Sequence, residues 1–363
     1  MIPVLPTLEI VFGIVVLTFG ADALVRGAAG LAERLGMSQL VIGLTVVAFG
    51  TSMPELFVSV GAALRGNGGV SLGNAVGSNI FNVLFILGVA AIINPLLVHR
   101  QLVRLDVPVM VATALVILVL SLDGALGLAE GFFLLSLIVA YTVVVVRLGK
   151  HADPSEPNLG GKGAASLFRS SSLPIQIGWV LAGLALLIVG ARFLVTGAET
   201  VARALGVSDL IIGLTVVAAG TSLPELATSV VAAFKGQRDI AVGNVVGSNI
   251  FNALAVLGAS AIAAGPAGLE VPTGVITFDI PVMLAVSFAG LPIFFTGWTI
   301  SRWEGWVFLA YYGIYVLYLG LSHTHHAAES AVRTMMLFFA LPLTAITLGV
   351  LVTQEFRARR ELP

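Results

Sequence analysis

The sequence contains no cysteine and few charged residues, and both shortages exclude classes of protein. Without cysteine the chain can neither form disulfides nor use a thiol as a nucleophile. Charged residues make up 10% of the 363 residues, against about 25% in soluble domains, and 58% are hydrophobic. The mean hydropathy of +1.05 predicts an integral membrane protein. The net charge of −1 gives no indication of nucleic-acid binding.

Histidine is also absent from the predicted spans, and basic residues are absent from the N-terminal segment. All five histidines fall in predicted loops, which argues against an intramembrane enzyme based on histidine. The first residues, MIPVLPTLEIVFG, carry neither a basic segment nor a small-residue cleavage site. We therefore expect the first apolar run to be a retained membrane span and not a signal peptide.

Apolar runs long enough to cross about 30 Å of hydrocarbon occur in two groups of five. They are predicted near 7–29, 38–63, 70–93, 105–121 and 128–147, then near 174–196, 208–234, 240–263, 277–296 and 303–321. A polar stretch separates the groups, and a further run near 331–353 stands alone. We predict an all-α polytopic membrane protein with a ten-helix core and an additional C-terminal transmembrane helix. Its predicted parts are a first five-helix repeat (1–148), a cytoplasmic linker (149–172), a second repeat (173–322) and a segment with an outer loop, the extra helix and a cytoplasmic tail (323–363).

The two groups of spans are copies of each other. GADALVRGAAGLAERLGMSQLVIGLTVVAFGTSMPEL, from residue 20, aligns without a gap to GARFLVTGAETVARALGVSDLIIGLTVVAAGTSLPEL, an offset of 170. The register continues through GNAVGSNIFNVLFILG and GNVVGSNIFNALAVLG. Because each copy has an odd number of spans, the second must enter the membrane from the opposite side. The sequence therefore predicts an inverted repeat, as in many secondary transporters.

The distribution of Lys and Arg predicts the orientation. With the N-terminus outside, the outer loops hold few basic residues, such as Arg65 and Arg333. The cytoplasmic segments then hold Arg34, Arg100, Arg104, Arg147, Lys150, Lys162, Arg169, Lys235, Arg238, Arg302, Arg357, Arg359 and Arg360. Since cytoplasmic loops carry an excess of Lys and Arg, we predict a multi-pass protein of the cell membrane with its C-terminus in the cytoplasm.

Each copy has a proline and a glutamate at membrane depth, in GTSMPEL and GTSLPEL. Pro54 and Pro224 lack an N–H, so the carbonyls of Gly50 and Gly220 lose their helical partners. At membrane depth a freed carbonyl is tolerated only if it is buried in protein or lines a wet cavity. Both segments are therefore predicted to be discontinuous helices that supply carbonyl oxygens.

Helical spacing places polar side chains together at each break and on the span that follows it. These residues are Thr51, Ser52, Glu55, Ser59, Asn74, Ser78 and Asn82, repeated as Thr221, Ser222, Glu225, Ser229, Asn244, Ser248 and Asn252. Oxygen ligands without His or Cys suit hard cations such as Ca²⁺ or Na⁺. Two ionised glutamates balance one divalent ion, and they leave oxygens for several monovalent ions in its place. Competition between the divalent and the monovalent ions for one set of ligands is how an antiporter couples them.

A purely structural role must also be weighed for these residues. Ser, Thr and Gly in membrane helices usually serve packing, and a lone glutamate can belong to an ion pair. No Lys or Arg occurs in either broken span or in the span that follows it. A duplicated carboxylate without a counter-charge, beside a duplicated helix break, therefore favours an ion site.

Other polar residues have simpler explanations. Asp22 and Arg26 are spaced as a structural i,i+4 pair, and Arg192 replaces the aspartate in the second copy. Asp106 and Asp279 precede V-P and I-P at helix starts, where we predict a capping role.

Three further features are predicted to be structural. Glu130 and Glu304 stand at span entrances and are predicted to be interfacial, and HTHH at 323–326 to be a polar outer loop. Close helix approach is predicted at the small-xxx-small pairs Gly73, Gly77, Gly243 and Gly247.

GLTVVAFGTSMPELFVSV and GNAVGSNIFNVLFILG, with their second copies, resemble the α-repeats of the calcium/cation antiporter superfamily. The resemblance is strongest to the prokaryotic sodium/calcium exchangers and covers roughly residues 7–321. It implies that Glu55 and Glu225 bind Ca²⁺, with Thr51 and Thr221 contributing oxygens. It also implies alternating access, in which the first and sixth spans slide as a pair. A ten-helix core is usual in such proteins, so the extra helix is unexplained.

The resemblance further implies ligands for sodium. Hydroxyls at Ser52, Ser78, Ser222 and Ser248, and carbonyls at Ala48 and Ala218, match its sodium sites. Asn82 and Asn252 match the polar position four residues after the serine. The resemblance implies no cofactor apart from the transported Ca²⁺ and Na⁺.

Two departures from the family pattern bear on the counter-ion. Many relatives carry Asp at the position of Asn82 or Asn252, so this chain has two site carboxylates where they have three, which argues against potassium co-transport. Gly77 and Gly247 stand where many proton-coupled relatives have glutamate, which favours sodium.

We therefore expect a secondary antiporter that exchanges Na⁺ for Ca²⁺ in the lipid bilayer. Exchange of Ca²⁺ or another divalent cation for H⁺ remains the alternative. A passive channel does not need an inverted repeat, and an intramembrane enzyme would need a nucleophile–base or zinc signature that the spans lack. The sequence leaves the oligomeric state open.

Overall fold

The computed structural model describes residues 4–149, 172–205, 218–295 and 297–323, together with Thr334, Gly349 and Thr353. Almost all of the predicted linker and nearly all of the extra span near 331–353 lie outside the described residues. The first part of the seventh span and most of the HTHH run also lie outside them.

Helices form most of the described chain. They are α1 (Val4–Leu35), α2 (Gln39–Thr51), α3 (Met53–Leu64), α4 (Gly68–Ile93), α5 (Leu102–Leu120), α6 (Leu128–Gly149), α7 (Leu173–Ala204), α8 (Ala218–Gly220), α9 (Leu223–Phe234), α10 (Arg238–Ala263), α11 (Val275–Phe294) and α12 (Arg302–His323). The two-residue strands are β1 (Leu96–Leu97), β2 (Ala125–Leu126), β3 (Leu269–Glu270) and β4 (Thr299–Ile300).

The described helices confirm an all-α polytopic membrane protein. Eight of them are long and apolar enough to cross a membrane, and α2 with α3 forms a ninth, bent span. The shorter α9 is also apolar and lies, with α8, in the predicted seventh span. Helices dominate because every backbone polar group in hydrocarbon must find its partner within the protein.

Burial separates inner helices from outer ones. In α4 and α10, 72% and 83% of the most apolar stretch is buried, against 22% in α6 and 11% in α12. The outer helices expose large apolar side chains, such as Phe132, Phe133 and Val139 on α6. The centre of the bundle is therefore formed by α4 and α10, which carry GNAVGSNIFNVLFILG and GNVVGSNIFNALAVLG and are called the GS helices below. Lipid surrounds the others.

The strands show how the two halves relate. β1 pairs antiparallel with β4, and β2 pairs antiparallel with β3. β1 and β3 are equivalent connections in the two halves, and so are β2 and β4. Exchanging the halves converts one pair into the other, as a pseudo-two-fold axis requires. This reciprocity agrees with the predicted inverted repeat.

Both predicted helix breaks are present. α2 and α3 meet at Ser52 with a bend of 45°. In the second half α8 and α9 are separated by Thr221 and Ser222. Ser52 and Ser222 have nearly the same backbone angles, φ −83° and ψ 8° against φ −89° and ψ 8°. The prolines stand second in α3 and α9, where a missing N–H costs no intrahelical hydrogen bond.

A glycine stripe that the sequence analysis did not single out holds α1 against α7. The glycines recur every seven residues, at Gly13, Gly20 and Gly27 on α1 and at Gly183, Gly190 and Gly197 on α7. A Cβ at Gly13 would lie 2.6 Å from the backbone nitrogen of Leu194, and one at Gly190 would lie 2.7 Å from that of Leu17. The two helix backbones therefore touch, which only glycine permits.

The predicted close approach of the second GS helix is also observed. A Cβ at Gly247 would lie 2.6 Å from the carbonyl oxygen of Leu44, and one at Gly243 would lie 2.9 Å from that of Leu40. The residues that would match these partners for Gly73 and Gly77 lie outside the described chain. α10 thus packs backbone to backbone against α2.

The predicted capping role of Asp106 and Asp279 is wrong. Asp106 makes no capping hydrogen bond and instead accepts from the hydroxyl of Tyr141 at 3.0 Å. Asp279 accepts from Tyr315, also at 3.0 Å. Both aspartates end π-helical turns, Leu102–Asp106 and Val275–Asp279, so the helix is already formed when the chain reaches them. Each carboxylate therefore joins the fourth span of its half to the fifth.

We expect the Tyr141→Phe variant to lower stability without changing the fold. It removes the hydroxyl that bonds a fully buried carboxylate, a loss of about 1–3 kcal/mol. Thermal denaturation in detergent measures this. The Tyr312→Phe variant is the control, because the Tyr312 ring packs edge-on against Phe81 and its hydroxyl makes no hydrogen bond to the described residues. Equal melting temperatures for the two variants would contradict the assigned role.

Glu304 is also placed differently from its prediction. It is 5% exposed, and its Oε2 accepts from the Ser301 nitrogen at 2.7 Å and the Ser301 hydroxyl at 2.6 Å. It is therefore a buried capping residue of α12 and not an interfacial one.

Candidate cation site

The two glutamates of the broken spans lie at the centre of the molecule. Glu55 is the third residue of α3 and Glu225 the third residue of α9, and each is 0% exposed. The first turn of a helix presents free N–H groups and the positive end of the helix dipole. Each helix break therefore creates a start at which a buried carboxylate is favoured.

Serines from the opposite half hold each carboxylate. Ser222 donates its hydroxyl to Glu55 Oε1 at 2.7 Å, and Ser52 donates to Glu225 Oε1 at 3.0 Å. Ser78 on α4 lies 3.0 Å from the Ser222 hydroxyl and 3.5 Å from Glu55 Oε1. The predicted hydroxyl groups and carboxylates are thus brought together from spans about 170 residues apart.

Asn74 and Asn244 connect the threonines to the glutamate backbones. Thr221 donates to Asn74 Oδ1 at 3.2 Å, and Thr51 donates to Asn244 Oδ1 at 3.1 Å. Asn74 in turn donates to the Glu55 carbonyl at 3.2 Å, and Asn244 donates to that of the other glutamate at 3.3 Å. Both asparagines were predicted to lie on the shared polar face, but no ligand role was predicted for either.

The serines one turn after the glutamates complete this support. Asn74 donates to the Ser59 hydroxyl at 2.9 Å, and Asn244 donates to the Ser229 hydroxyl at 3.0 Å. Ser59 donates onward to the Ser71 carbonyl at 3.1 Å. Each amide therefore fixes the helix that carries its glutamate.

Several oxygens in this cluster make no hydrogen bond to the described residues. They are fully buried and consist of Glu55 Oε2, Glu225 Oε2, Asn82 Oδ1, Asn252 Oδ1 and the Ser248 hydroxyl. A buried polar atom without a partner costs about 1–3 kcal/mol, and more if it is charged. Among the described residues no Lys or Arg forms an ion pair with either glutamate. Free oxygens around two unpaired carboxylates are suited to a cation.

Asn79 and Asn249 form a contact that the sequence analysis missed. Asn79 donates to the Asn249 carbonyl at 3.1 Å, and Asn249 donates to the Asn79 carbonyl at 3.3 Å. Asn82 donates to Asn249 Oδ1 at 3.0 Å. The SNIFN repeat carried a signal, since Asn79 and Asn249 are offset by the same 170 residues. Their role was not evident because the asparagines bond only across the halves.

The GS helices are locally wider beside the cluster. Asn82–Ile86 and Asn252–Val256 are π-helical turns that begin at the predicted ligands Asn82 and Asn252. Such turns occur frequently at functional sites because they shift side chains relative to an α-helix. Here they place both asparagines, each 0% exposed, in the buried interior.

The two alanines contribute backbone atoms. The Ala48 carbonyl accepts from the Ser52 nitrogen at 3.0 Å and from the Thr51 hydroxyl at 3.4 Å. Ala218 is the first residue of α8, and its side chain lies outside the described part of the structure. Within the described residues, no group of three or more His, Cys, Asp or Glu side chains forms a metal cluster. Any cation here would be held mainly by neutral oxygens.

Comparison with known proteins gives a consistent result. The family described as "Sodium/calcium exchanger protein" matches residues 6–147 and 175–321. The chain is similar to the sodium/calcium exchanger MaX1 of Methanosarcina acetivorans, with 33% identity over 352 residues, which cover 86% of this chain and 97% of MaX1. It is 39% identical over 259 residues to the inner membrane protein YrbG of Escherichia coli, covering 71% of this chain and 80% of YrbG.

A solved structure is similar over nearly the whole of its own length. The sodium-calcium exchanger NCX_Mj, soaked with Na⁺ and Sr²⁺, superposes with a TM-score of 0.74 and 31% identity. The match covers 87% of this chain and 99% of NCX_Mj. Both matched segments of the family contain one helix break and one GS helix.

Proposed function

This chain belongs to the sodium/calcium exchanger protein family, and on that premise we propose that it exchanges Na⁺ for Ca²⁺ through the cluster around Glu55 and Glu225. Family membership makes it a multi-pass membrane protein and a cation/calcium antiporter; its relatives are transporters and not enzymes. The choice of sodium, the site residues and the orientation are the parts we propose.

The observation that carries the proposal is the pair of buried, unpaired carboxylates. Each accepts a hydroxyl from the opposite half on one oxygen, and its other oxygen has no partner among the described residues. Two such charges balance one Ca²⁺ or two Na⁺. Since charges in a low-dielectric interior interact strongly, the site stays favourable only while a cation compensates them.

Each proposed ligand has a distinct role. Calcium binds the two carboxylates with oxygens from Thr51 and Thr221. Sodium ions use the hydroxyls of Ser52, Ser78, Ser222 and Ser248, the carbonyls of Ala48 and Ala218, and the amide oxygens of Asn82 and Asn252. Because both ions need the same glutamates, they cannot occupy the site together, and this exclusion couples their movements.

Sodium is favoured over protons by the chemistry of the cluster. Asn82 and Asn252 are neutral amides and cannot release a proton. The Asn82 amide nitrogen donates to Asn249, and its side-chain oxygen, which has no partner among the described residues, is left for a cation. Among the described residues, Glu55 and Glu225 are the only carboxylates joined to the cluster by hydrogen bonds.

The proposed orientation puts the N-terminus outside and the C-terminus in the cytoplasm of a cell-membrane protein. Lys235, which follows α9, and Arg238, the first residue of α10, then face the cytoplasm, as does Arg34 near the end of α1. This assignment rests on the excess of basic residues expected in cytoplasmic loops.

Calcium uptake by proteoliposomes tests the coupling. We expect uptake driven by an outward sodium gradient to fall to background when that gradient is dissipated, and to ignore an imposed pH gradient. Potassium on either side should have no effect, because the site has only two carboxylates. Liposomes carrying the Glu55→Gln variant are the control for leak.

The same assay separates the competing functions. Uptake that follows the pH gradient and ignores sodium would establish Ca²⁺/H⁺ exchange instead. Uptake down the calcium gradient without any counter-ion gradient would establish a channel. Either result would overturn the proposal.

A further inference from the structure

The long helices α1 and α7, which the family resemblance implies slide as a pair, do not pack equally against the broken spans. α1 packs along α9, but no comparable packing of α7 against α3 is found among the described residues. In a perfectly symmetric molecule these two contacts would be equivalent. α1 and α9 end at the same face, because both belong to odd-numbered spans, whereas α7 and α3 end at the opposite face. The structure is therefore closed at one face and not at the other.

The exposure of equivalent residues shows the same asymmetry. Thr228 lies one turn beyond Glu225 on α9 and is 0% exposed. Its counterpart 170 residues earlier is Val58 on α3, which is 41% exposed. The two glutamates themselves are equally buried. The difference thus begins just beyond the site, on the path towards each face.

An ion pair fastens the closed face. Asp22 on α1 contacts the ammonium group of Lys235, the residue that follows α9, and also lies 2.6 Å from Arg26 Nε. The i,i+4 pair with Arg26 was expected, but the contact with Lys235 was not. Asp22 and Lys235 are 30% and 21% exposed, so water and salt screen this contact only in part.

The sequence forbids the same contact at the other face. The offset of 170 places Arg192 at the position of Asp22 and Arg65 at the position of Lys235. Closing α7 over α3 would therefore bring two positive charges together where the observed state has an ion pair. Like charges at such a distance repel. The two copies therefore carry the same residues at the proposed cation site but residues of opposite charge at the position of Asp22.

We propose that Asp22 and Lys235 form a latch that favours closure of the face where α1 and α9 end, so that the two access states are unequally populated. This inference rests on the proposed alternating-access function. In the proposed orientation the latched face is cytoplasmic. The latch residues touch no ion; they position α1 and so set how often each face opens.

Cysteine accessibility tests the latch directly, because the chain has no cysteine of its own. Single reporters are introduced as Thr228→Cys or Val58→Cys, and the labelling rate by a hydrophilic maleimide is measured in nanodiscs, where both faces meet solution. We expect Asp22→Asn to raise the rate at the Thr228→Cys reporter about fivefold, the size expected for a partly exposed ion pair. The rate at the Val58→Cys reporter should fall.

A second variant shifts the same equilibrium between the two access states, but at the face where α7 and α3 end. Arg192→Asp places a carboxylate opposite Arg65 and should stabilise the alternative closure. It should therefore move both labelling rates in the same directions as Asp22→Asn, without touching the latch. Should the Asp22→Asn protein fail to fold, Lys235→Gln removes the same ion pair from its other partner and should shift both rates in the same directions.

The controls are chosen from the same helix and the same pair. Glu9→Gln removes a carboxylate from the opposite end of α1 and should leave both rates unchanged, as should Asp22→Glu. Unchanged rates in Asp22→Asn and Arg192→Asp would overturn the latch. The labelling assay does not depend on the counter-ion, so loss of sodium coupling with intact rate shifts would refute only the proposed function.

Discussion

Replacing Glu55 or Glu225 with glutamine is expected to abolish sodium-dependent calcium transport while the protein still folds. Glutamine has nearly the same shape as glutamate, and its carbonyl oxygen still accepts the hydroxyl of Ser222 or Ser52. The charge is lost, and one carboxylate oxygen becomes an amide nitrogen that cannot bind a cation. Two unit charges at about 4 Å interact by about 4 kcal/mol at an effective dielectric constant of about 20, which corresponds to roughly 1,000-fold in affinity.

The matched control for this prediction is Glu130→Gln. Glu130 is also the third residue of its helix, α6, but lies outside the cation cluster. Transport in proteoliposomes and elution as a single folded species in detergent are measured for all three variants. Equal loss is expected at Glu55 and Glu225, since each accepts a serine hydroxyl from the opposite half and leaves its second oxygen without a partner among the described residues. Calcium transport that survived in either variant would show that the carboxylates are structural.

Alanine in the glycine stripe is expected to separate α1 from α7 and to slow transport strongly. A Cβ at Gly183 would lie 2.5 Å from the backbone nitrogen of Leu24 and 2.8 Å from the carbonyl oxygen of Gly20. Backbone atoms cannot turn aside as a side chain does, so the helices must move apart. Such overpacking costs about 1–3 kcal/mol. It should also impair any sliding of the two helices as one body.

Gly178→Ala is the matched control on the same helix. A Cβ at Gly178 meets no other described atom within 4 Å, so alanine is expected to be neutral there or mildly stabilising. Thermal denaturation and sodium-driven calcium uptake are measured for both variants. If Gly183→Ala matched Gly178→Ala in both measurements, the close backbone contact would not matter for function.

Sequence reasoning worked best where the information was local. The prolines after Gly50 and Gly220 predicted both helix breaks, because a missing N–H has the same consequence in any helix. The four-residue step of Asn74 and Ser78 predicted a shared polar face. The gapless offset of 170 then indicated which faces would meet. Hydropathy alone located the spans, although α1 and α7 extend beyond their predicted ends, to Leu35 and Ala204.

Sequence reasoning failed where a contact depended on distant parts of the chain. Asp106 was interpreted as a cap from the proline that follows it, but its partner is Tyr141, on the next span. The reciprocal bonds of Asn79 and Asn249 depend on how two central helices cross. The pairing of Asp22 with Lys235 joins α1 of the first half to the end of α9 in the second. No local pattern contains these facts.

The reciprocal contacts between the halves have a consequence for the ancestry of the fold. Ser52 bonds Glu225 as Ser222 bonds Glu55, and β1 meets β4 as β2 meets β3. Every one of these contacts would form equally well between two identical five-helix chains inserted head-up and head-down. A primitive homodimer would therefore already form these contacts. Fusion into one polypeptide adds something that such a dimer lacks, the freedom to give Asp22 and Arg192 opposite signs.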